Sequence, residues 1–292
     1  MHKAGYVNIF GNPNAGKSTL MNAIVDEKLS IVTAKVQTTR HRILGIVNDE
    51  NYQIIFSDTP GIITPKYGLQ KSMMKFIHVA IDDADVFVYL VEPDENNYSN
   101  EVLEKINSSD VPTILVINKI DLFDQKHIEE RYEFWKTIFP KAYVLPVSAL
   151  HKFNIDVLKQ KIVEYLPEHP PYYEKDQLTD RSERFFVSEI IREKILLQFD
   201  KEIPYSVEVA IDAFKETDRL TSITANVHVL RESQKAIIIG HNGAAIKKLG
   251  IAARRDIEAF LGKHIYLELS VKVTKEWRDD DKQLKRFGYE NE

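Results

Sequence analysis

The sequence predicts a two-part chain: an α/β first half on a mostly parallel six-stranded sheet, then a smaller α+β domain. Three observations predict it. Apolar segments at 6–10, 52–57, 85–91, 113–118 and 143–147 alternate with longer amphipathic or polar stretches, the pattern of buried strands with helices packed on them. A stretch rich in proline and charge, YLPEHPPYYEKDQLTDRSE at 165–183, interrupts that rhythm. Beyond it the pattern changes to helix, strand, strand, helix, tight turn, helix, strand. The expected limits are 1–167 for the first domain, 168–183 for a linker and 184–292 for the second domain.

The first strand, YVNIF, runs into GNPNAGKST at 11–19 and then a helix expected from Lys17 to about Asp26. Gly11, Gly16, Lys17 and Ser18 fill the G-x-x-x-x-G-K-[ST] pattern between strand and helix. There, glycines let backbone N–H groups close on phosphate oxygens and the helix N-terminus adds its positive end. Lys17 would reach the outer phosphates and Ser18 would ligate Mg²⁺. The whole loop, Gly11, Asn12, Pro13, Asn14, Ala15, Gly16, Lys17, Ser18 and Thr19, is expected to touch the nucleotide. RILGIVNDENYQIIFS reads as two strands joined by the polar turn Asn48–Asn51, so one pair of the sheet should be antiparallel.

Four further elements follow in order. The polar loop QTTRHR at 37–42 offers Thr38 or Thr39 as a second hydroxyl ligand to Mg²⁺. DTPG at 58–61 closes a strand, where Asp58 would hold the metal and the Gly61 amide would sense the γ-phosphate, with Thr59 and Pro60 beside them. NKID closes another strand with Asn118, Lys119 and Asp121. The Asp121 carboxylate can accept hydrogen bonds from guanine N1–H and the 2-amino group, a pattern adenine lacks. SAL at 148–150 would bring Ser148, Ala149 and Leu150 near the guanine O6. Ras-type switches orient water with a glutamine just after the D-x-x-G glycine, but here that residue is Ile62. Hydrolysis is therefore expected to be slow or assisted, with Asn14 a candidate ligand for K⁺ bridging the phosphates; a turn residue tolerant of left-handed geometry is the alternative for Asn14. Asn14, Lys17, Thr39 and Gly61 are the expected catalytic group, and Ser18, Thr39 and Asp58 the metal ligands.

In the second half, RFFVSEIIREKILLQF has helical spacing, SVEVAI, SITANVHV and HIYLELSVKV alternate as strands, and GHNG at 240–243 sits between two helical segments. KH domains clamp a nucleic-acid backbone with such a G-x-x-G loop. From Lys235 to Lys275 eight Lys or Arg residues face three acids, a local excess of five positive charges in a chain of net charge −5. The expected RNA-binding residues are Ile237, Gly240, His241, Asn242, Gly243, Ile246, Lys247, Lys248 and Arg254. A solvated helix face on a protein-binding domain is the alternative.

With 292 residues, 43% hydrophobic and 28% charged, the chain has the composition of a soluble protein with a real core. Its longest apolar runs are too short to span a bilayer, and no secretory signal precedes the first strand. The absence of cysteine excludes disulfides and thiolate metal sites and suits a reducing cytoplasm.

GNPNAGKST, QTTRHR, DTPG, NKID and SAL, followed by SEIIREKIL, IIIGHNGAAIKKLG and VKVTKEWRDDDKQLKRFGY, make the chain resemble the bacterial Era-like GTPases over nearly its whole length. The resemblance implies a P-loop GTPase domain followed by a type II KH domain. It also implies GTP/GDP and Mg²⁺ as ligands, binding of the 3′ end of small-subunit (16S) ribosomal RNA, and a role in assembly of the 30S subunit. A cytoplasmic monomer with peripheral association to the inner membrane is expected on the same basis. Thr39 matches the family's switch threonine, and Gly240 and Gly243 its RNA loop. Asn12 and Ala15 stand where the family commonly has arginine and valine.

Overall fold

The computed structural model describes residues 1–96, 101–217 and 220–289. The chain divides into two compact units, one of Met1–Ser30, Thr39–Pro65 and Met73–Asp180, the other of Ile31–Thr38, Lys66–Ser72 and Arg181–Glu292.

The first unit is built on β1 (Lys3–Gly11), β2 (Ile43–Asn48), β3 (Tyr52–Asp58), β4 (Val86–Val91), β5 (Thr113–Ile117) and β6 (Tyr143–Pro146), with α1 (Lys17–Val25), α3 (Glu101–Ser108), α4 (Gln125–Ile138), α5 (Ile155–Tyr165) after β6, and the part of α2 (Gly68–Asp82) from Met73 onward. The strand order is β2-β3-β1-β4-β5-β6. All pairs are parallel except β2 with β3, which run antiparallel around the turn expected from the sequence. The central strand β4 is apolar throughout, as expected of a strand covered on both faces: every one of its residues is buried. Phe10, Tyr89, Leu115 and Ile117 pack with Ile77, Val102, Ile106 and Trp135 from α2, α3 and α4. After β1 the chain goes to the sheet edge as β2, comes back beside β1 as β3, and crosses to the other side of β1 at β4. Sheets of this kind bind ligands at the carboxyl ends of the strands where that reversal occurs, which is where Gly11 ends β1. Residues 168–180 lie with this unit, where the Leu178 carbonyl accepts from Ile46 N (2.8 Å) and Thr179 donates to the Leu44 carbonyl (2.7 Å).

The second unit carries α6 (Glu183–Gln198), α7 (Ile203–Ser206), β7 (Glu208–Glu216), β8 (Thr221–Val229), α8 (Glu232–Ile239), α9 (Ala244–Leu261), β9 (Ile265–Val273) and α10 (Asp281–Arg286). Its sheet runs β7-β8-β9, antiparallel between the first two and parallel between the last two. The alternating strands place Ile223, Ala225, Val227 and Val229 of β8 against Val187, Ile191 and Ile195 of α6 and Leu249, Ala253 and Ile257 of α9, all fully buried. Ser182 caps α6 by accepting from Phe185 N, and Pro204 stands in the first turn of α7, where a missing N–H costs nothing. Within this unit the guanidinium of Arg192 is fully buried, paired to Glu189 and donating to the Thr38 carbonyl at 2.6 Å.

Candidate nucleotide site and nucleic-acid interface

Gly11 leaves β1 at φ 146°, and a Cβ there would lie 2.4 Å from the Leu90 carbonyl oxygen on β4. Gly16 stands at φ 99°, with Asn118 Nδ2 where its Cβ would be, 2.3 Å away. Both positions thus exclude side chains by backbone geometry and by space. Asn14, at φ 67°, adopts the left-handed conformation that the turn alternative foresaw. Lys17 opens α1, is buried, and donates to the carbonyls of Gly11 (3.0 Å) and Asn12 (2.9 Å). Burial holds its ammonium down to about 8, against the opposing pull of Asp58 and Glu95.

Ser18 Oγ donates to Asp58 Oδ2 at 2.7 Å and lies 2.8 Å from Thr39 Oγ1, so the three residues expected to hold the metal meet. Asp58 is fully buried and its carboxyl is pushed up by that burial. Its other oxygen, Oδ1, has no hydrogen-bond partner among the described residues. Two hydroxyls and one carboxylate whose second oxygen is buried and unpartnered fit Mg²⁺, a hard ion that takes few protein ligands and completes its shell with water and phosphate. Thr59 turns its hydroxyl to the Ile9 carbonyl (2.6 Å), fixing DTPG to β1. Gly61 comes so close to the phosphate loop that a Cβ would lie 2.9 Å from Pro13, and Ile62 N donates to the Gly11 carbonyl at 3.3 Å. The Ile62 side chain packs on the apolar core beneath.

Asn118 joins three motifs. Its Nδ2 donates to the Ala15 carbonyl (2.9 Å) and its Oδ1 accepts from Ala149 N (3.0 Å). Asp121 Oδ1 accepts from Ser148 Oγ at 2.5 Å. Lys119 is left-handed, at φ 63°, and its ammonium meets Glu92 at 2.7 Å. Leu150 is exposed. Reading by motif missed Glu92 and Glu95, which follow β4: Asn12 Nδ2 donates to Glu95 Oε1 at 2.6 Å. No local signal marks them, because their side-chain partners Lys119 and Asn12 lie 27 and 83 residues away.

In the second unit α8 stops at Gly240, whose φ 73° and ψ 175° suit only glycine. His241–Gly243 form one tight turn with Asn242 at φ 49°, and α9 starts after Gly243, at φ 76°. A Cβ at Gly240 would press Ala245 Cβ at 2.6 Å, whereas one at Gly243 would meet nothing within 4 Å. Gly240 therefore serves the packing of the turn, and Gly243 leaves its outer side open. Beside it lies a groove of about 340 Å³ lined by Ile246, Lys247, Ile251 and Arg254 of α9 and by Leu267 and Leu269 of β9. Ile237 on α8 is 48% exposed, and Lys247 and Lys248 point outward. Of the expected residues, Ile246, Lys247 and Arg254 line this groove, while Ile237, Lys248 and the turn residues lie outside its lining. The sequence reading did not include Ile251 of α9, nor Leu267 and Leu269, whose alternation in β9 gives no sign of which strand edge stays open.

A family model described as 50S ribosome-binding GTPase matches residues 6–119, and a KH domain model matches residues 202–278. The GTPase Era of Caldanaerobacter subterraneus subsp. tengcongensis is 44% identical over 292 residues, covering 99% of this chain and 98% of the relative. That of Clostridium botulinum strain Hall is 43% identical over 294 residues, covering 100% and 99%. A solved structure of Era in complex with MgGDPNP and nucleotides 1506–1542 of 16S ribosomal RNA matches with a TM-score of 0.92 at 37% identity, over 99% of both chains. An Aquifex aeolicus Era variant bound to GDP·AlF4⁻ matches with the same TM-score and identity, over 98% of this chain and 99% of that one. A phosphate loop at the reversal of a mostly parallel sheet, an aspartate suited to guanine, a G-x-x-G turn on a mixed three-stranded sheet and these chain-wide similarities lead to one assignment: the chain belongs to the Era family of GTPases, with a P-loop GTPase domain and a C-terminal KH domain.

Proposed function

We propose that this GTPase binds the 3′ end of small-subunit ribosomal RNA through its KH domain and acts in maturation of the 30S subunit under the control of bound GTP or GDP. The observation that carries the proposal is the full-length match to a relative solved with both a GTP analogue and nucleotides 1506–1542 of 16S RNA. The open Gly243 turn above an apolar groove with a cationic rim supports it, since single-stranded RNA is held by close backbone approach, stacking and phosphate neutralisation. The GTPase-domain model names the 50S subunit, but it spans only the first half, so the choice of small-subunit RNA follows the relative that covers the whole chain.

In this reading Asp121 accepts from the guanine base, Lys17 and the loop amides hold the phosphates, and Ser18, Thr39 and Asp58 hold Mg²⁺, which neutralises charge on the transferring phosphoryl group. Gly61 senses the γ-phosphate. Ile62 cannot orient water, so turnover is slow, and Asn14 would supply an oxygen to K⁺. The compartment is the cytoplasm and the working form a monomer. No described helix is long and apolar enough to cross a membrane, and peripheral membrane association remains an expectation from family resemblance, tested by vesicle flotation.

The test is fluorescence anisotropy of the full chain with an oligonucleotide copying the 3′ end of 16S RNA, in the presence of a GTP analogue. Binding at low salt is expected. No binding, together with retained GTP affinity, would favour the second domain as a protein-binding module.

A further inference from the structure

Glu95 lies at the edge of the nucleotide site without belonging to any of its motifs. Its Oε1 accepts from Asn12 Nδ2 in the phosphate loop (2.6 Å), its Oε2 accepts from Glu92 N over a longer 3.3 Å, and Arg131 Nη2 of α4 donates to its carbonyl (2.9 Å). The backbone around it is therefore pinned, while the carboxylate is aimed at the loop. Lys17 Nζ, on α1, bonds the carbonyl of the same Asn12.

We propose that Glu95 is a positioning residue whose carboxyl braces Asn12 and takes up a proton when the nucleotide's phosphates enter, so that GTP and GDP bind more tightly as the pH falls. The inference rests on nucleotide binding in the phosphate loop and adds a regulation of that site. Asn12 stays bonded to Oε1 in either charge state. The proton comes from solvent and sits on Oε2, whose bond to the Glu92 amide is the weaker one. The phosphates bring negative charge and draw on Lys17, the cation that favours ionised Glu95, so an ionised carboxylate beside them is disfavoured.

The surroundings already lean that way. Burial pushes the Glu95 carboxyl up to about 7; the charge of Glu92 adds to the rise, while the Glu92 amide, Lys17 and Asn12 oppose it. Among the described residues the charged groups around it are Lys17 on α1, Glu92 with its partner Lys119, Arg131 on α4, whose guanidinium lies over the Phe134 ring, and Asp94 paired to His127. The group therefore titrates where a small change in nearby charge alters its occupancy.

Affinity for Mg-GTP and Mg-GDP is to be measured from pH 6 to 8.5 for the wild type, Glu95→Gln and Glu95→Ala. Glu95→Gln keeps the acceptor for Asn12 and removes the charge. The ratio of wild-type to Glu95→Gln Kd is expected near one at pH 6 and to grow above pH 7, by about tenfold at most for each unit that binding raises the carboxyl pKa. Titration of the nucleotide and of Lys17 is common to both proteins. Glu95→Ala, which loses the brace, should bind more weakly at every pH. A constant ratio would overturn the proposal. Should the variants fail to fold, ¹³C-detected titration of Glu95 in the wild type must show its pKa rising on addition of Mg-GDP, and an unmoved or lowered pKa would overturn it. Loss of nucleotide binding by the wild type at all pH values would instead sink the nucleotide site itself.

Discussion

At the proposed base site the carboxylate of Asp121 and the amide of Asn118 have unequal freedom. Asn118 spends both ends of its side chain on protein, tying Ala15 to Ala149, so it builds the pocket. Asp121 has one oxygen on Ser148, and its exchange for asparagine is expected to lower GTP affinity about ten- to a hundredfold, the worth of a charged hydrogen bond, while favouring xanthosine triphosphate, whose 2-oxo group accepts from the new amide. Equal affinity for GTP and ATP in the wild type by calorimetry would end this account. For Asn14, replacement by alanine is expected to remove an acceleration by K⁺ over Na⁺ while sparing nucleotide affinity. If wild-type turnover is the same in both salts, the left-handed φ of 67° is all that Asn14 provides. At this scale Lys17, Ser18, Asp58 and Asn118 were legible because each sits inside a short motif whose spacing is fixed by one strand end. Glu95 was not, because only the pairing of β1 with β4 brings its loop beside Asn12.

Between α8 and α9 the two glycines of the turn do different jobs, and substitution separates them. Gly240→Ala must fit a Cβ 2.6 Å from Ala245 Cβ in a conformation only glycine adopts, whereas Gly243→Ala has open space and only a left-handed φ of 76° to sustain, costing about 1–2 kcal/mol. Thermal melts should therefore show the larger loss for Gly240→Ala. RNA binding should fall for Gly243→Ala beyond its small loss of stability, and unchanged RNA affinity would remove that open face from the site. Within α9, Ile257 is fully buried against the sheet, and Ile257→Ala is expected to cost about 2–5 kcal/mol by denaturant titration. The helical and alternating periods gave these elements and their order. They did not reveal the groove between α9 and β9, since a strand's alternation names its two faces and says nothing of which edge remains unpaired.

For the whole chain, one double substitution tests whether nucleotide and RNA sites are separable. His241→Asp with Asn242→Asp puts two carboxylates on an exposed turn, where they repel RNA phosphates. RNA affinity should be lost, with GTP affinity and melting temperature nearly unchanged. Wild-type binding should also weaken steeply with salt as Lys247 and Lys248 displace counterions. Full RNA affinity in the double variant, read by anisotropy, would take the turn out of the interface.

What the sequence determined by itself was local chemistry and the order of elements: a phosphate loop between the first strand and helix, one antiparallel pair in a parallel sheet, an NKID motif at a strand end, and a G-x-x-G turn between two helices. These follow from short-range rules, since periodicity, glycine conformation and motif spacing act within a dozen residues. Only the tertiary structure decided which distant groups surround those motifs. It set Asn118 between Ala15 and Ala149, brought Ser18, Thr39 and Asp58 together, placed Glu95 on Asn12, and opened the groove of Leu267 and Leu269 beside Gly243. Such contacts depend on strand order and pairing, which are set by the burial of the whole apolar core and leave no mark on the spacing of the residues they join.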